Sequence, residues 1–190
     1  MAGGGTTDSP LEITTATQLV EIAALVNSRS SGLELFLFND ADAKVGLKMM
    51  NDIDLSAYAS GEGWVPIGSK DNKFKGAFDG GGHKISNLTI DRSGGEYQGF
   101  LGSIGANSLV KNLGVENVNI IAKGYVGGVV GEVRGGTVQN CYTTGRVGGN
   151  MYVGGVLGVV FENSTVQNCY STVSIDGASG TFSFMIGGLT

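Results

Sequence analysis

From Tyr97 onward the apolar residues come in short runs broken by glycine, and the runs recur. The frame is an aromatic residue, a glycine, two apolar residues and a glycine, followed about ten residues later by a Val-x-Asn step. It reads Tyr97-Gln98-Gly99-Phe100-Leu101-Gly102, then Tyr125-Val126-Gly127-Gly128-Val129-Val130-Gly131, then Tyr152-Val153-Gly154-Gly155-Val156-Leu157-Gly158. Met185-Ile186-Gly187-Gly188-Leu189-Thr190 opens one more. The partner step recurs as Val110-Lys111-Asn112, Val138-Gln139-Asn140 and Val166-Gln167-Asn168, at intervals of 28 residues. A period of this size marks a solenoid, in which each repeat is one coil that buries its apolar face only against its neighbours.

Upstream the pattern differs. Leu19, Ile22, Ala23, Leu25 and Val26 lie on a stripe of helical period, so residues 11–29 predict a helix. Thr15 with Gln18 three residues on fits a capping box, and Asn27 to Gly32 supplies the stop. This helix is expected to plug the open end of the solenoid core. Lys48 to Leu55 predicts an opening strand and Ser56 to Gly63 a loop.

From Trp64 the runs shorten. Phe74-Lys75-Gly76-Ala77-Phe78-Asp79-Gly80 reads as a degenerate early copy of the aromatic frame, and Ile85-Ser86-Asn87 as an early Asn step. The division is a leader over 1–10, an N-terminal cap over 11–63 and stacked coils over 64–190. Four full coils run from Phe74 to Phe184, and the chain is expected to be part of a longer protein, because it stops inside a repeat. Short runs without helical period favour an all-β fold, a parallel β-helix with an N-terminal capping helix.

Stacking at strand spacing turns equivalent positions into ladders. Phe74, Tyr97, Tyr125 and Tyr152 are expected to form one aromatic column continued by Met185. Phe78, Leu101, Val129, Val156 and Leu189 are expected to fill the interior, and Asn87, Asn112, Asn140 and Asn168 to share one turn. Asn tolerates left-handed backbone there, and its amide satisfies turn groups rung after rung.

Composition adds exclusions. Glycine supplies 34 of 190 residues, yet 41% of residues are hydrophobic, so glycine punctuates strands rather than replacing them. A net charge of −5 with 12 Lys+Arg and no basic cluster argues against nucleic acid and anionic membrane surfaces. No apolar run is long enough for a transmembrane helix, and the first ten residues lack the pattern of a signal peptide.

Candidate chemistry is sparse. His83 is the sole histidine and cannot build a His-rich metal site. Asp52, Asp54, Asp79 and Asp91 read as turn and capping groups, since calcium needs six or more converging oxygens. Lys70, Lys73, Lys75 and Lys84 lie close in sequence to Asp71 and Asp79, as solvated loop charge. Cys141 and Cys169 both follow an Asn of the step; one rung apart, they can stack as buried thiols, the preferred reading, or form a disulfide. No catalytic, cofactor-binding or metal-binding residue is assigned.

The glycine-bracketed copies at Gly99, Gly128 and Gly155, with Asn51-Asp52-Ile53-Asp54-Leu55, Trp64-Val65-Pro66-Ile67-Gly68 and Phe74 through Asn87, resemble the GLUG-motif proteins. The copy at Gly76 departs from the pattern, with Asp79 in place of the closing glycine. The resemblance implies a right-handed β-helix in a bacterial secreted or cell-surface protein, with an adhesive or architectural role and no catalytic residues. The expected function is therefore a non-enzymatic surface module that binds host glycan or extracellular protein. The alternative is a carbohydrate-active enzyme, a polysaccharide lyase or hydrolase, on the same scaffold. The strand over Met185–Leu189 is also expected to favour end-to-end self-association.

Overall fold

The computed structural model describes residues 3–28, 45–161 and 163–177. Strand β1 (Leu11–Ile13) precedes helix α1 (Ala16–Ser28), followed by β2 (Gly46–Met49), β3 (Ile53–Asp54), β4 (Ala77–Asp79), β5 (Lys84–Ser86) and β6 (Thr89–Gln98). Then come β7 (Leu101–Ile104), the long β8 (Leu109–Gly127), β9 (Val130–Val133), β10 (Thr137–Gly149), β11 (Met151–Gly154), β12 (Leu157–Val160), β13 (Thr165–Gln167) and β14 (Tyr170–Gly177). Among the described residues the named strands all pair in parallel, as successive coils of a parallel β-helix require, and antiparallel contact is confined to isolated bridges at Thr6–Val45 and Gly63–Ile90.

One side of the stack runs β1-β2-β4-β8-β10-β13, six rungs high. After a bend at Asn112 or its equivalent, a second side carries β3, β5 and the middle of β8 and β10, with β14 on top. A third side is the separate sheet β7-β9-β12. Parallel strands joined by crossover connections take the right-handed sense that strand twist dictates.

The bends are made by residues in left-handed backbone. Asn112, Asn140 and Asn168 have φ of 53°, 53° and 52°, and Asn87 and Asn117 have 60° and 54°. Asn adopts this region more readily than most side chains because its short amide bonds locally. Tyr97, Tyr125 and Tyr152 sit there too, at φ 61°, 54° and 53°. A bulky residue in this region is uncommon and costs about 1–2 kcal/mol.

The first coil corrects the expected register. Phe78 pairs with Val110, so Ala77-Phe78-Asp79 is the Val-x-Asn strand, not a copy of the aromatic frame. Phe74 is fully buried and aligns with Ile104, outside the tyrosine column. The rung below Leu101 is instead Ile67, within Trp64 to Gly68. Likewise Ile85 pairs with Val115, which puts Asn87 below Asn117 rather than below Asn112. Val129 and Val156 are buried in the core as expected, but the residues that pair with Leu101 rung on rung are Val130 and Leu157, one residue on, because Gly127-Gly128 inserts a residue that Gly99 alone lacks. The predicted opening strand over Lys48–Leu55 is two strands, β2 and β3, broken at Met50 to Asp52. The expectations for Phe184 and Met185 to Thr190 lie outside the described residues.

The helix is one strand turn shorter than expected, since Leu11–Ile13 joins the sheet through Leu47 to Met49. The capping box forms: Gln18 Oε1 accepts from the backbone N–H of Thr15 (3.1 Å) and Thr14 (2.7 Å), and Gln18 N–H donates to Thr15 Oγ1 (3.3 Å). Leu19, Ile22, Ala23 and Val26 are buried and join the same core as the strands, so α1 covers apolar surface at the N-terminal coils. Trp64, Phe78 and Phe100 meet there, with Phe100 stacked at 5.8 Å on Trp64 and edge-on to Phe78 at 5.2 Å.

Candidate binding cleft and the ladders around it

Side-chain amides run along the Asn bends as hydrogen-bonded ladders. Asn168 Nδ2 donates to Asn140 Oδ1 (3.2 Å), Asn140 Nδ2 to Asn112 Oδ1 (3.1 Å), and Asn112 Nδ2 to Asp79 Oδ1 (3.1 Å). A second ladder runs from Asn117 Nδ2 to Asn87 Oδ1 (2.6 Å) and from Asn87 Nδ2 to Asp54 Oδ1 (2.9 Å). Each ladder thus ends, toward the N-terminus, on a carboxylate, the group that only accepts. The Asn87 amide and the Ser56 N–H and hydroxyl hold the Asp54 carboxyl below its ordinary range. Burial pushes Asp79 up, but the Gly81 N–H, Asn112 and Lys111 outweigh it, and the net shift is downward. Of the four aspartates singled out in the sequence, two are therefore ladder ends.

Asp52 enters a different network. It lies 3.3 Å from His83 Nδ1 and accepts from the backbone N–H of Lys84 at 3.1 Å. Lys84 Nζ bonds Glu116 Oε2 (2.9 Å), and Tyr142 donates to Glu116 Oε1 (2.7 Å). Two carboxylates thus flank one lysine on an outward face, which the spacing of these residues in the sequence does not suggest. Their charge states suit an ion pair rather than proton transfer. Tyr142 and Lys84 hold Glu116 low, Glu116 raises Lys84, and the same carboxylate pushes Tyr142 up to about 12. A general acid or base works best with a pKa near the operating pH, and these three are driven away from neutrality.

The lysines singled out with Asp71 and Asp79 separate: Lys84 goes to Glu116, Lys111 rather than any of them pairs Asp79 (3.3 Å), and Lys73 lies 3.6 Å from Glu132. Glu132 is 2% exposed and is satisfied by the Ser103 hydroxyl (2.6 Å) and by Arg134 Nη2 (2.9 Å). Arg134 also lies over the Phe161 ring at 3.8 Å. Cys141 and Cys169 are buried free thiols one rung apart, and the neighbouring Cys169 sulfur together with burial pushes the Cys141 thiol up.

The tyrosine column forms as three stacked rings, with centroids 4.6 Å apart for Tyr97–Tyr125 and 4.9 Å for Tyr125–Tyr152. At its N-terminal foot lies a cleft of about 290 Å³ lined by Asn27, Pro66, Lys70, Arg92, Tyr97 and Gln98, among others. Asn27, at the end of α1, fixes the opposite wall: its amide donates to Pro66 O (2.9 Å) and accepts from Gly68 N–H (3.0 Å). Within the cleft Gln98 is 7% exposed; its Nε2 donates to Glu96 O (2.7 Å), while its Oε1 has no partner. Arg92 bonds Glu62 through Nη1, yet its buried Nε has no partner either. Sequence reasoning missed both residues, although a signal was present. Gln98 stands where the next two coils carry Val126 and Val153, and Arg92 where the next carries Ala122.

The profile of the GLUG motif matches residues 123–148 and 149–176, the two most regular coils. These two coils are GLUG repeats. The match falls where β8, β10 and β14 stack in register, so the GLUG repeat corresponds to one coil of the β-helix. Over 160 residues the chain is 38% identical to Halomucin of Haloquadratum walsbyi, covering 83% of the chain and 2% of that protein. It is also 38% identical over 126 residues to a proposed Gly-rich membrane protein of Evansella cellulosilytica, covering 65% of the chain and 13% of that protein. The chain spans only these small shares of the relatives it matches. One relative is archaeal, so the repeat is not confined to bacteria as the sequence resemblance implied. A solved structure of a proposed immunoglobulin A1 protease from Bacteroides ovatus aligns over 96% of the chain and 85% of its own, with TM-score 0.50 and 17% identity, a likeness of fold alone.

Proposed function

We propose that this chain is a non-enzymatic module of an extracellular or cell-surface protein, and that it binds glycan or protein outside the cell. The names of its relatives, a halomucin and a Gly-rich membrane protein, support a surface setting. The observation that carries a binding role is the contrast in polar satisfaction. Along the Asn bends and the Lys84–Glu116 network, outward polar groups bond one another. At the foot of the tyrosine column, a cleft is lined by Arg92 and Gln98, each of which carries one buried polar atom without a partner. A groove of converging polar groups beside an aromatic ring has the make-up of a ligand site.

The non-enzymatic reading draws support from the Glu116 network, where Glu116 is shifted down and Lys84 and Tyr142 up, away from the range that suits proton transfer. An array of glycans and a pulldown of extracellular proteins with folded material test the proposal, with binding of at least one class expected. Blank results in both would reduce the module to a spacer. New reducing ends or unsaturated products from pectins or other acidic polysaccharides would replace it with an enzyme.

A further inference from the structure

We propose that Asn163, in the exposed turn between β12 and β13, is an acceptor for an N-linked glycan. The proposal goes beyond the binding role above but rests on the same extracellular setting, where this modification belongs.

Two segments of the chain carry the Asn-x-Ser/Thr pattern that such an acceptor needs, Asn87-Leu88-Thr89 and Asn163-Ser164-Thr165. A three-residue pattern is weak by itself, so the fold has to decide which of the two is usable. The first is consumed by the architecture. Asn87 is half-buried; its Nδ2 donates to Asp54 Oδ1 (2.9 Å) and its Oδ1 accepts from Asn117 Nδ2 (2.6 Å). Leu88 is fully buried, and Thr89 opens β6 in register with Asn119. Presenting the Asn87 amide to an enzyme would break both ladder bonds and disturb Leu88 in the core.

The second segment is free to react. Asn163 is exposed, stands in a turn at φ 61°, and among the described residues no group bonds its amide. Thr165 is exposed as well, and its hydroxyl is equally unbonded there. The backbone around them is anchored. Ser164 Oγ accepts from the Gly135 N–H (2.9 Å) and donates to Val133 O (3.4 Å), and the Thr165 N–H donates to Gly136 O (2.9 Å).

Another turn of the same build separates what the fold needs from what it does not. Leu109, Thr137 and Thr165 occupy one column on successive rungs. Two residues before Leu109 stands Asn107, at φ 63°, followed by the buried Ser108, which donates to Gly105 O (2.6 Å). Left-handed Asn and a bonded Ser therefore serve the turn in both coils. The hydroxyl at the third position does not, because Leu109 and, one rung below it, Ala77 hold the same column without one. Thr137 has Gly135 two residues before it, so the acceptor pattern is complete in this turn only at Asn163.

The chemistry is a glycosyl transfer. Asn163 Nδ2 bonds the anomeric carbon of a polyisoprenyl-phosphate-linked glycan, and the bond from that carbon to the phosphate oxygen breaks. The lipid phosphate leaves with the electron pair, and the amide gives up one proton. The Thr165 hydroxyl supplies the group by which the transferase recognises the acceptor.

The test is mass mapping of the peptides that carry Asn163 and Asn87. In chain recovered from the cell surface, the Asn163 peptide is expected to bear a glycan and the Asn87 peptide none. In vitro, an oligosaccharyltransferase that reads Asn-x-Ser/Thr, supplied with a polyisoprenyl-phosphate-linked oligosaccharide, is expected to add one glycan to the folded whole chain. Asn163→Gln should abolish it. Thr165→Val should abolish it too, and Thr165→Ser should keep it, both at the parent melting temperature, since the column accepts Leu109 and Ala77. Transfer to Asn163 only after unfolding, or to Asn87 in the folded chain as fully as to Asn163, overturns the assignment. An unmodified Asn163 in chain recovered from the surface also overturns it and leaves the surface reading standing. Labelling intact cells with a membrane-impermeant reagent tests that reading separately: chain found only inside the cell overturns the surface setting and the glycan with it.

Discussion

Two bends of the same coil use left-handed residues for opposite ends. At the Asn112–Asn140–Asn168 bend, each amide donates to the one below and the chain of bonds ends on Asp79. At the Tyr97–Tyr125–Tyr152 bend, the rings pack on one another, and the column ends at a cleft lined by Gln98 and Arg92, each with one buried polar atom that has no partner. The amide ladder closes on itself, and the aromatic column ends at an opening. The difference suggests a rule for reading such a stack: satisfied ladders are architecture, and the place where a ladder ends without its partner is where to look for a ligand.

The comparison can be broken first at the tyrosines. Tyr125→Ala removes two ring contacts while keeping left-handed backbone, and is expected to cost about 2–3 kcal/mol from two aromatic pairs and lost burial. Tyr125→Gly should cost less, because glycine relieves the strain at φ 54°. Chemical denaturation of the two variants measures the gap. If Gly were the worse of the pair, backbone strain would have no part in this bend.

Next in size is Asn112→Ala, expected to cost about 1–2 kcal/mol. It places Cβ-bearing alanine at φ 53° and leaves Asp79 and Asn140 without their shared partner. Asn112→Gly should recover the backbone share alone. Equal unfolding midpoints for the two variants would show that the hydrogen bonds carry the whole effect.

Acid gives a smaller, graded test of the ladder ends. Asp54 and Asp79 are held below the ordinary aspartate value of 3.8 in the folded chain. Their contribution is therefore fully present above that value and is lost as pH falls below it toward their folded values. The thermal midpoint should stay flat on descent from neutral pH and then fall below about pH 4. Asp79→Ala should make the fall shallower. A midpoint that dropped as steeply in that variant would detach Asp79 from the effect.

How much of this was legible before the fold depends on how regular each coil is. Coils of 28 residues announced themselves, and the Tyr97–Tyr125–Tyr152 column and the Asn112–Asn140–Asn168 ladder form as the spacing predicts. The Thr15–Gln18 cap was equally plain, because its signal is local. Register failed in the first coil, where the segment from Gly68 to Phe74 lengthens the path and moves Phe78 onto the Val110 column. It also slipped by one residue at Gly127-Gly128, since a glycine pair gives no apolar marker to count from. The candidate site was half written in the sequence. Gln98 interrupts a column of valines, but its partner Arg92 and the wall held by Asn27 meet it only in the folded stack.

The most direct test of the central claim is one NMR titration of the chain with a glycan or protein that the array or pulldown identifies, watching the side-chain amides of Gln98 and Asn140 together. Shifts at Gln98 and Tyr97, with Asn140 silent, would show that the unmet corner takes the ligand and the closed ladder does not. Equal shifts at both amides, or none at either, would contradict the division drawn between them.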